Sequence, residues 1–186
     1  MELPYKVFLL IIWSLYTLPG HARFLIEPSY HYQVSDFSRG DESGDLEGKV
    51  LGINLGYLGR NFMAGVHIEK GEFESDDNLT DSGYKKYNGG GVGTFLGFHF
   101  FDRLKIWSEY MNSSLEPISN NDIRYFGQHV AFGLGYRIIN GLLLNYKSFR
   151  NQFTQIEDDT TGKTSGLSTN IKTQGSSIFL SYMLVF

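Results

Sequence analysis

Residues 130–148 read VAFGLGYRIINGLLLNYKS, a segment in which two kinds of side chain alternate. Bulky apolar side chains occupy every second position, at Val130, Phe132, Leu134, Tyr136 and Ile138. Small or charged side chains lie between them, at Ala131, Gly133, Gly135 and Arg137. A period of two is typical of a β-strand whose faces meet different surroundings, and Asn140-Gly141 between two such runs is the strongest short signal for a hairpin. The segment therefore predicts two antiparallel strands.

The same alternation continues from Phe24 to the end of the chain in eight runs. We place them near residues 24–34, 49–58, 62–73, 87–100, 104–112, 125–138, 142–153 and 171–186. Three connections are short, at residues 59–61, 102–103 and 140–141, and four are long and polar, at residues 36–47, 74–86, 113–124 and 157–170. An even number of antiparallel strands with alternating short and long turns, and with both chain ends on the short-turn side, is the topology of a transmembrane barrel.

The two faces of the strands distinguish a membrane barrel from a water-soluble one. A soluble barrel buries its apolar face, whereas a membrane barrel turns that face outward to lipid. Here the opposite face carries glycines, histidines and charges of both signs, for example Gly133, His67 and Lys105. Such side chains cannot form a dry core, because unpaired buried charges are strongly destabilising. The sequence therefore predicts an all-β, eight-stranded antiparallel up-and-down transmembrane β-barrel.

Aromatic residues near both ends of the runs match the girdles of membrane interfaces. Toward the short turns we expect Tyr57, Phe62, Phe100, Tyr136 and Phe186. Toward the long connections we expect Tyr32, Phe73, Tyr87, Tyr110, Phe126 and Phe153. Because strands favour aromatics in any setting, the girdle only supports the membrane interpretation.

Composition narrows the classes of function. The 186 residues include 16 basic and 20 acidic side chains, for a net charge of −4, and no cysteine. An acidic chain lacks the basic surface of a nucleic-acid-binding protein, so nucleic acid is not an expected partner. The absence of cysteine excludes disulfides, thiol nucleophiles and cysteine-bound metal clusters.

Residues 1–22 predict a secretory signal peptide. Lys6 precedes an apolar stretch from Val7 to Leu18, and the small residues Gly20 and Ala22 come just before Arg23. The apolar stretch is shorter than the ~20 residues that a membrane-spanning helix needs. We therefore expect cleavage after Ala22, so that residues 23–186 form the barrel domain.

The last nine residues, Ile178 to Phe186, read IFLSYMLVF. They resemble the terminal strand of bacterial outer-membrane β-barrels, with Tyr182 and the final Phe186 as the assembly signal, and the whole mature chain is similar to the small eight-stranded OmpA/OmpX-type group. The resemblance implies a Gram-negative outer membrane, recognition by the barrel-assembly machinery, escort by periplasmic chaperones, and contact with outer-membrane lipid and lipopolysaccharide. We expect a monomer.

Several inward positions carry polar side chains that we expect to form a network in the lumen: Glu27, His31, His67, Lys105, Glu109, Arg137 and Lys147. Eight strands enclose an interior just wide enough for side chains, so these ion pairs would plug it. The long connections are acidic, with Asp36, Asp41, Glu42, Asp45 and Glu47 in the first and Glu74, Asp76, Asp77 and Asp81 in the second.

These features favour a non-enzymatic barrel with a polar plugged lumen and acidic exposed loops, in a structural or interaction role. The alternative is a small ion or solute pore, since inward glycines could leave voids. A third class is a lipid A-modifying enzyme. A resemblance to the deacylase type would require a His-x-Ser pair together with a Glu, and this chain has no His-x-Ser. His67 and Glu69 share an inward face, but no nucleophile is identifiable beside them. We predict no catalytic residue, no cofactor and no metal site.

Overall fold

A computed structural model describes residues 23–75, 86–101, 103–118, 123–158 and 160–186, most of which lie in β-strands. The strands are β1 (Arg23–Arg39), β2 (Glu42–Leu58), β3 (Phe62–Ser75), β4 (Lys86–Phe100), β5 (Leu104–Pro117), β6 (Ile123–Ile139), β7 (Leu142–Asp158), β8 (Lys163–Tyr182) and β9 (Leu184–Val185). No helix in the described ranges is long and apolar enough to cross a bilayer. The predicted signal peptide and the acidic residues Asp76, Asp77 and Asp81 lie outside the described residues.

The strands close into a ring. Each long strand pairs antiparallel with its neighbours in sequence, and β1 pairs with both β2 and β8. The two-residue strand β9 continues β8 beyond Met183 and pairs with the start of β1. Beyond β9, the backbone amide of Phe186 donates to the carbonyl of Phe24 at 3.0 Å, and the amide of Phe24 donates back at 3.1 Å. This topology confirms the predicted eight-stranded antiparallel up-and-down β-barrel.

The register of the strands sets their tilt. The stagger is found by moving from each residue to its register partner on the next strand around the barrel. Starting from Val34 on β1, the successive partners are Ser176, Ser148, Phe132, Ser108, Leu96, Ala64 and Tyr57. The path returns to β1 at Phe24, so the stagger around the barrel is 34 − 24 = 10 residues. With a rise of about 3.3 Å per residue and a strand spacing of about 4.8 Å, this stagger tilts the strands by about 40°.

The bulky apolar face points outward, as predicted. Phe132, Leu134 and Tyr136 are 66%, 49% and 49% exposed. The intervening Gly133 and Gly135 are buried. Because the same alternation runs around the whole barrel, the exposed side chains form a continuous apolar belt, which is the surface that a lipid bilayer requires.

The interior is less polar than the sequence predicts, because two clusters of buried apolar side chains lie inside the barrel. The short-turn cluster contains Leu25, Leu58, Met63, Phe95, Trp107, Ala131, Leu143, Phe149, Phe179 and Met183. The long-loop cluster contains Phe37, Leu46, Val50, Phe73, Tyr87, Leu115, Tyr125, Phe153 and Ile171. The expectation that Phe73, Tyr87 and Phe153 belong to the outer aromatic girdle is therefore wrong: each has the parity of the inward face and is at most 8% exposed.

Three of the four predicted long connections, at residues 36–47, 113–124 and 157–170, are mostly strand. β1 and β2 meet at a tight turn through Gly40 and Asp41, and β7 runs to Asp158 before β8 begins at Lys163. In these stems the outward residues become polar, as at Asp36, while inward residues such as Phe37 stay apolar and buried. The alternation persists there, but its outward face meets water instead of lipid.

The Asn140-Gly141 hairpin is tight, as predicted, but it is not a simple two-residue turn. Gly141 has φ of +80°, whereas Asn140 is not left-handed. The register shifts between Arg137 and Ile139, which marks a bulge beside the turn. A left-handed glycine after a turn with such a bulge is a common way to close a hairpin.

Candidate functional site

Glu27 and Lys105 form an ion pair across the full width of the barrel. In a ring of eight strands, β1 and β5 stand opposite one another. Lys105 Nζ lies 2.6 Å and 2.7 Å from the two carboxylate oxygens of Glu27, with both side chains at most 2% exposed. Ser181 donates to Glu27 at 2.6 Å, and Asn145 donates to Ser181 at 2.8 Å. The pair thus contains one negative and one positive charge, and Ser181 adds a hydrogen bond to the carboxylate of Glu27.

A second ion pair crosses the barrel at right angles to the first. Lys147 on β7 lies 3.2 Å from Glu69 on the opposite strand β3, and 3.9 Å from Glu109 on β5. Lys147 and Glu109 were predicted for the lumen network, whereas Glu69 was not included in it. Alternation along β3 places Glu69 on the inward face with His67, and that spacing was sufficient to add it to the network.

We call the Glu27–Lys105 pair the first charged layer, and Lys147 with Glu69 and Glu109 the second. His67 lies between the two carboxylates of the second layer. Its Nδ1 is 2.6 Å from Asn54 Oδ1 and 3.6 Å from Glu109 Oε1, and its Nε2 is 3.3 Å from Glu69 Oε2. Both ring nitrogens therefore face oxygen atoms. The imidazole holds the two carboxylates in place from the β3 side of the lumen.

His129 takes a similar place from β6. Its Nδ1 lies 2.6 Å from Asn151 Oδ1, and its Nε2 is 3.8 Å from Glu109 Oε2. Asn151 donates in turn to Thr173 at 2.8 Å. Alternation along β6 places His129 inward, but the sequence does not predict these contacts, which involve residues on β5, β7 and β8.

Two predicted lumen residues make other contacts. His31 packs its ring against Phe179, with centroids 4.7 Å apart, and neither of its ring nitrogens has a hydrogen-bond partner among the described residues. Arg137 lies at the short-turn end, where its guanidinium is 3.7 Å from the sulfur of Met183. The structure brings Glu27 to Lys105, and Glu109 to Lys147 and His67, while Arg137 joins neither layer.

The interior around the two ion pairs contains both apolar and polar buried side chains. Trp107, Phe149 and Phe179 of the short-turn cluster pack around them, and the long-loop cluster closes the opposite end. A cavity of about 30 Å³ lies at the boundary with the long-loop cluster and is lined by Glu69, among others. Among the described ranges, no three His, Asp or Glu side chains are placed to hold a metal ion together.

Most of the exposed charge lies at the strand ends opposite the short turns, which we call the outer end of the barrel. The predicted acidic residues Asp36, Asp41, Glu42, Asp45 and Glu47 are all exposed on the β1–β2 hairpin. Tyr32 donates a hydrogen bond to Glu47. At the end of β3, Lys86 lies 2.9 Å from Glu74, and its hydrogen bond lowers the pKa of that carboxyl group and raises the pKa of Lys86.

No protein-family model and no curated protein matches this sequence. Solved structures match its fold. Neisserial surface protein A matches with a TM-score of 0.56 at 11% identity, over 88% of this chain and 99% of that chain. Ail, the attachment invasion locus protein of Yersinia pestis, in complex with the heparin analogue sucrose octasulfate, matches with a TM-score of 0.56 at 9% identity, over 87% and 99% of the two chains. At these identities the likeness establishes the fold alone.

Proposed function

We propose that this chain, which has the fold of the small eight-stranded barrels of the bacterial outer membrane, is an integral outer-membrane protein with a closed lumen. Its role is structural or interactive, and its exposed outer end makes the contacts. The main support for this proposal comes from two buried ion pairs, Glu27–Lys105 and Lys147–Glu69. They cross the lumen along two different diameters and so obstruct it.

The apolar belt supports the membrane location. Side chains such as Leu51, Phe132 and Ile178 are 64%, 66% and 69% exposed, which in water would be an aggregation-prone surface. A test is the gel-mobility shift on heating: a folded barrel migrates differently before and after boiling. Identical mobility of both samples after refolding into detergent would contradict the barrel.

The packing of the lumen supports closure. An ion that crosses the barrel would have to displace two buried ion pairs and the aromatic side chains around them, and breaking buried pairs is costly. We expect the purified, refolded protein to show no steady conductance in planar bilayers, with a general porin in the same lipid as the positive control. Steady, resolvable single-channel steps would replace the closed barrel with the pore alternative.

The enclosure of the charged groups supports a non-enzymatic role. Glu69, Glu109 and Lys147 are engaged with one another inside the barrel, and an acyl chain in the bilayer has no route to them through the strands. We expect lipid A from cells that express the protein to keep its acyl-chain composition by mass spectrometry. Loss or gain of an acyl chain on expression would identify an enzyme.

The negative charge of the exposed β1–β2 hairpin supports an interaction with a positively charged partner. Ail was solved with a sulfated heparin analogue, which is a polyanion. The exposed carboxylates on the β1–β2 hairpin of this chain would repel such a ligand and attract basic surfaces. We expect vesicles that carry the protein to bind polylysine at low salt and not heparin. The triple variant Asp41→Asn, Glu42→Gln, Asp45→Asn should lose polylysine binding; unchanged binding would exclude this hairpin as the interaction surface.

A further inference from the structure

A shallow groove interrupts the apolar belt on the outer wall of the barrel. Phe132 on β6, Ser148 on β7, Ser176 on β8 and Val34 on β1 are successive register partners, so they lie in one row across four strands. All four side chains are exposed. The two serines are short and the residues on either side of them are larger, so the row has a low floor between two walls. We call this depression the wall groove, and its volume is about 720 Å³.

The next row toward the outer end carries two opposite charges at the mouth of the wall groove. Arg150 on β7, Gln174 on β8 and Asp36 on β1 are successive register partners, and all three are exposed and line the groove. Arg150 and Asp36 are therefore two strand spacings apart, about 10 Å between their Cα atoms. On the described outer faces of β7 and β1, they are also the first charged residues met on leaving the apolar belt.

The order of these groups matches the order of groups in a phospholipid. A guanidinium such as that of Arg150 binds a phosphate through paired hydrogen bonds. The carboxylate of Asp36 accepts hydrogen bonds from a primary ammonium group. One row deeper, the hydroxyls of Ser148 and Ser176 can donate to ester carbonyls, and the space above them receives an acyl chain.

The paired charges at the mouth select among membrane lipids. An anionic phospholipid satisfies Arg150 but leaves Asp36 without a cationic partner. Lipid A carries phosphates without a balancing ammonium group, and the acidic β1–β2 hairpin nearby repels it. Phosphatidylcholine carries both charges, but its quaternary ammonium has no N–H to donate to a carboxylate. Phosphatidylethanolamine offers both a phosphate and three ammonium N–H donors.

We propose that the wall groove binds one phosphatidylethanolamine molecule, with its phosphate on Arg150, its ammonium group on Asp36 and an acyl chain over Ser148 and Ser176. The site lies on the outside of the barrel. It is therefore independent of whether the lumen is closed, and bilayer conductance does not bear on it.

Native mass spectrometry tests the proposal by counting the lipids that stay bound to the folded protein. The full chain is refolded in detergent, and its folding is checked by the heat-dependent gel shift. Phosphatidylethanolamine, phosphatidylcholine and phosphatidylglycerol with the same acyl chains, and lipid A, are titrated separately. We expect one tightly retained phosphatidylethanolamine and weaker binding of the other three lipids.

Two charge variants test the contacts with the headgroup. Arg150→Gln should weaken phosphatidylethanolamine binding by about tenfold, because it removes a charge-assisted hydrogen bond to the phosphate. Asp36→Asn removes the partner of the ammonium group but keeps Arg150, so the preference should move toward phosphatidylglycerol. Lys49→Gln is the matched control, since Lys49 is an exposed cation on β2, away from the groove, and it should bind as wild type does.

A third variant tests the floor of the groove. Ser148→Leu fills the space above the serines and leaves both charges in place, and leucine on the lipid face is compatible with folding. It should reduce the retention of phosphatidylethanolamine. Ser108→Leu is the matched control, because Ser108 lies in the same row on β5, on the far side of Phe132, and it should retain the lipid.

Two results would overturn the proposal. One is a wild-type protein that binds the four lipids equally, or that prefers phosphatidylcholine, phosphatidylglycerol or lipid A. Equal binding would show that the groove holds only the ordinary lipids around the barrel. The other is a preference for phosphatidylethanolamine that survives unchanged in Arg150→Gln, Asp36→Asn and Ser148→Leu, which would place its binding site elsewhere on the barrel.

Discussion

The indole of Trp107 covers Gly133, its register partner on the neighbouring strand, so that a side chain at position 133 would occupy the space of the ring. Trp107 is 5% exposed, and the ammonium of Lys105 lies 5.3 Å from its ring centroid. The glycine is therefore needed for packing. Its absent side chain is what allows a large aromatic residue to lie flat against the barrel wall beside a buried ion pair.

We expect Gly133→Val to destabilise the barrel by about 1–3 kcal/mol, the usual cost of overpacking. Urea unfolding in lipid vesicles measures the change. In a Trp107→Leu background the same substitution should cost less, because the smaller side chain leaves room. Equal costs in both backgrounds would show that the indole is not the obstacle.

Breaking the Glu27–Lys105 pair should cost more than removing it. Glu27→Gln alone or Lys105→Met alone leaves one buried charge without its partner, and we expect each to lower the free energy of unfolding by about 3–5 kcal/mol. The double variant Glu27→Leu, Lys105→Met removes both charges and should recover most of that loss. A double variant as unstable as the sum of the single ones would contradict the coupling.

Leu134→Arg tests the outward face. Leu134 is 49% exposed within the apolar belt, and arginine there should lower the unfolding free energy by ~2–4 kcal/mol in vesicles. Gln128→Arg is the matched control, because Gln128 is exposed on the same face of β6, six residues closer to the outer end. It should have little effect. Similar losses for both variants would argue against a bilayer around Leu134.

Phe186 has two separable roles, in barrel closure and in assembly. Its backbone exchanges hydrogen bonds with Phe24, while its ring is 69% exposed on the outside. Phe186→Leu keeps the backbone bonds, so we expect near-normal stability of the refolded protein but a reduced yield in the outer membrane of cells. Deletion of Phe186 should reduce both. A normal yield for Phe186→Leu would show that the ring is not part of the assembly signal.

Asp158 gives the β7–β8 hairpin a dependence on pH. Its carboxylate accepts hydrogen bonds from the backbone amides of Thr161 and Thr160, at 3.2 Å and 2.9 Å, which hold its pKa below the usual range of an aspartate. Since the folded pKa lies below the unfolded one, the stabilisation is present above about pH 4 and disappears as the pH falls through the folded pKa. Amide exchange at Thr160 and Thr161 should accelerate at low pH. In Asp158→Asn this acceleration should be weaker.

The facing of the strands could be predicted from the sequence because it depends on local parity. Leu134 and Gly133 are neighbours with opposite surroundings, and the period of two assigns both. The ends of the strands were less predictable. Beyond the bilayer, outward positions such as Asp36 become polar, so the hairpin stems look like loops, although Phe37 remains buried.

The partners inside the lumen could not be predicted from the sequence. Which residue meets Lys147 depends on the heights of β3 and β7 along the barrel axis, and these are set by the stagger of ten residues around the ring. No local pattern encodes that number. Parity placed Glu69, Glu109 and Lys147 on the inward face, but it could not show that Glu69 is the carboxylate nearer to Lys147.

The two ion pairs lie on perpendicular diameters, from β1 to β5 and from β3 to β7. A thin-walled cylinder under lateral pressure deforms most easily into an ellipse, which lengthens one diameter and shortens the other. With both diameters tied, lengthening either one stretches an ion pair. We therefore expect the cross-section to resist flattening when the surrounding lipids compress it.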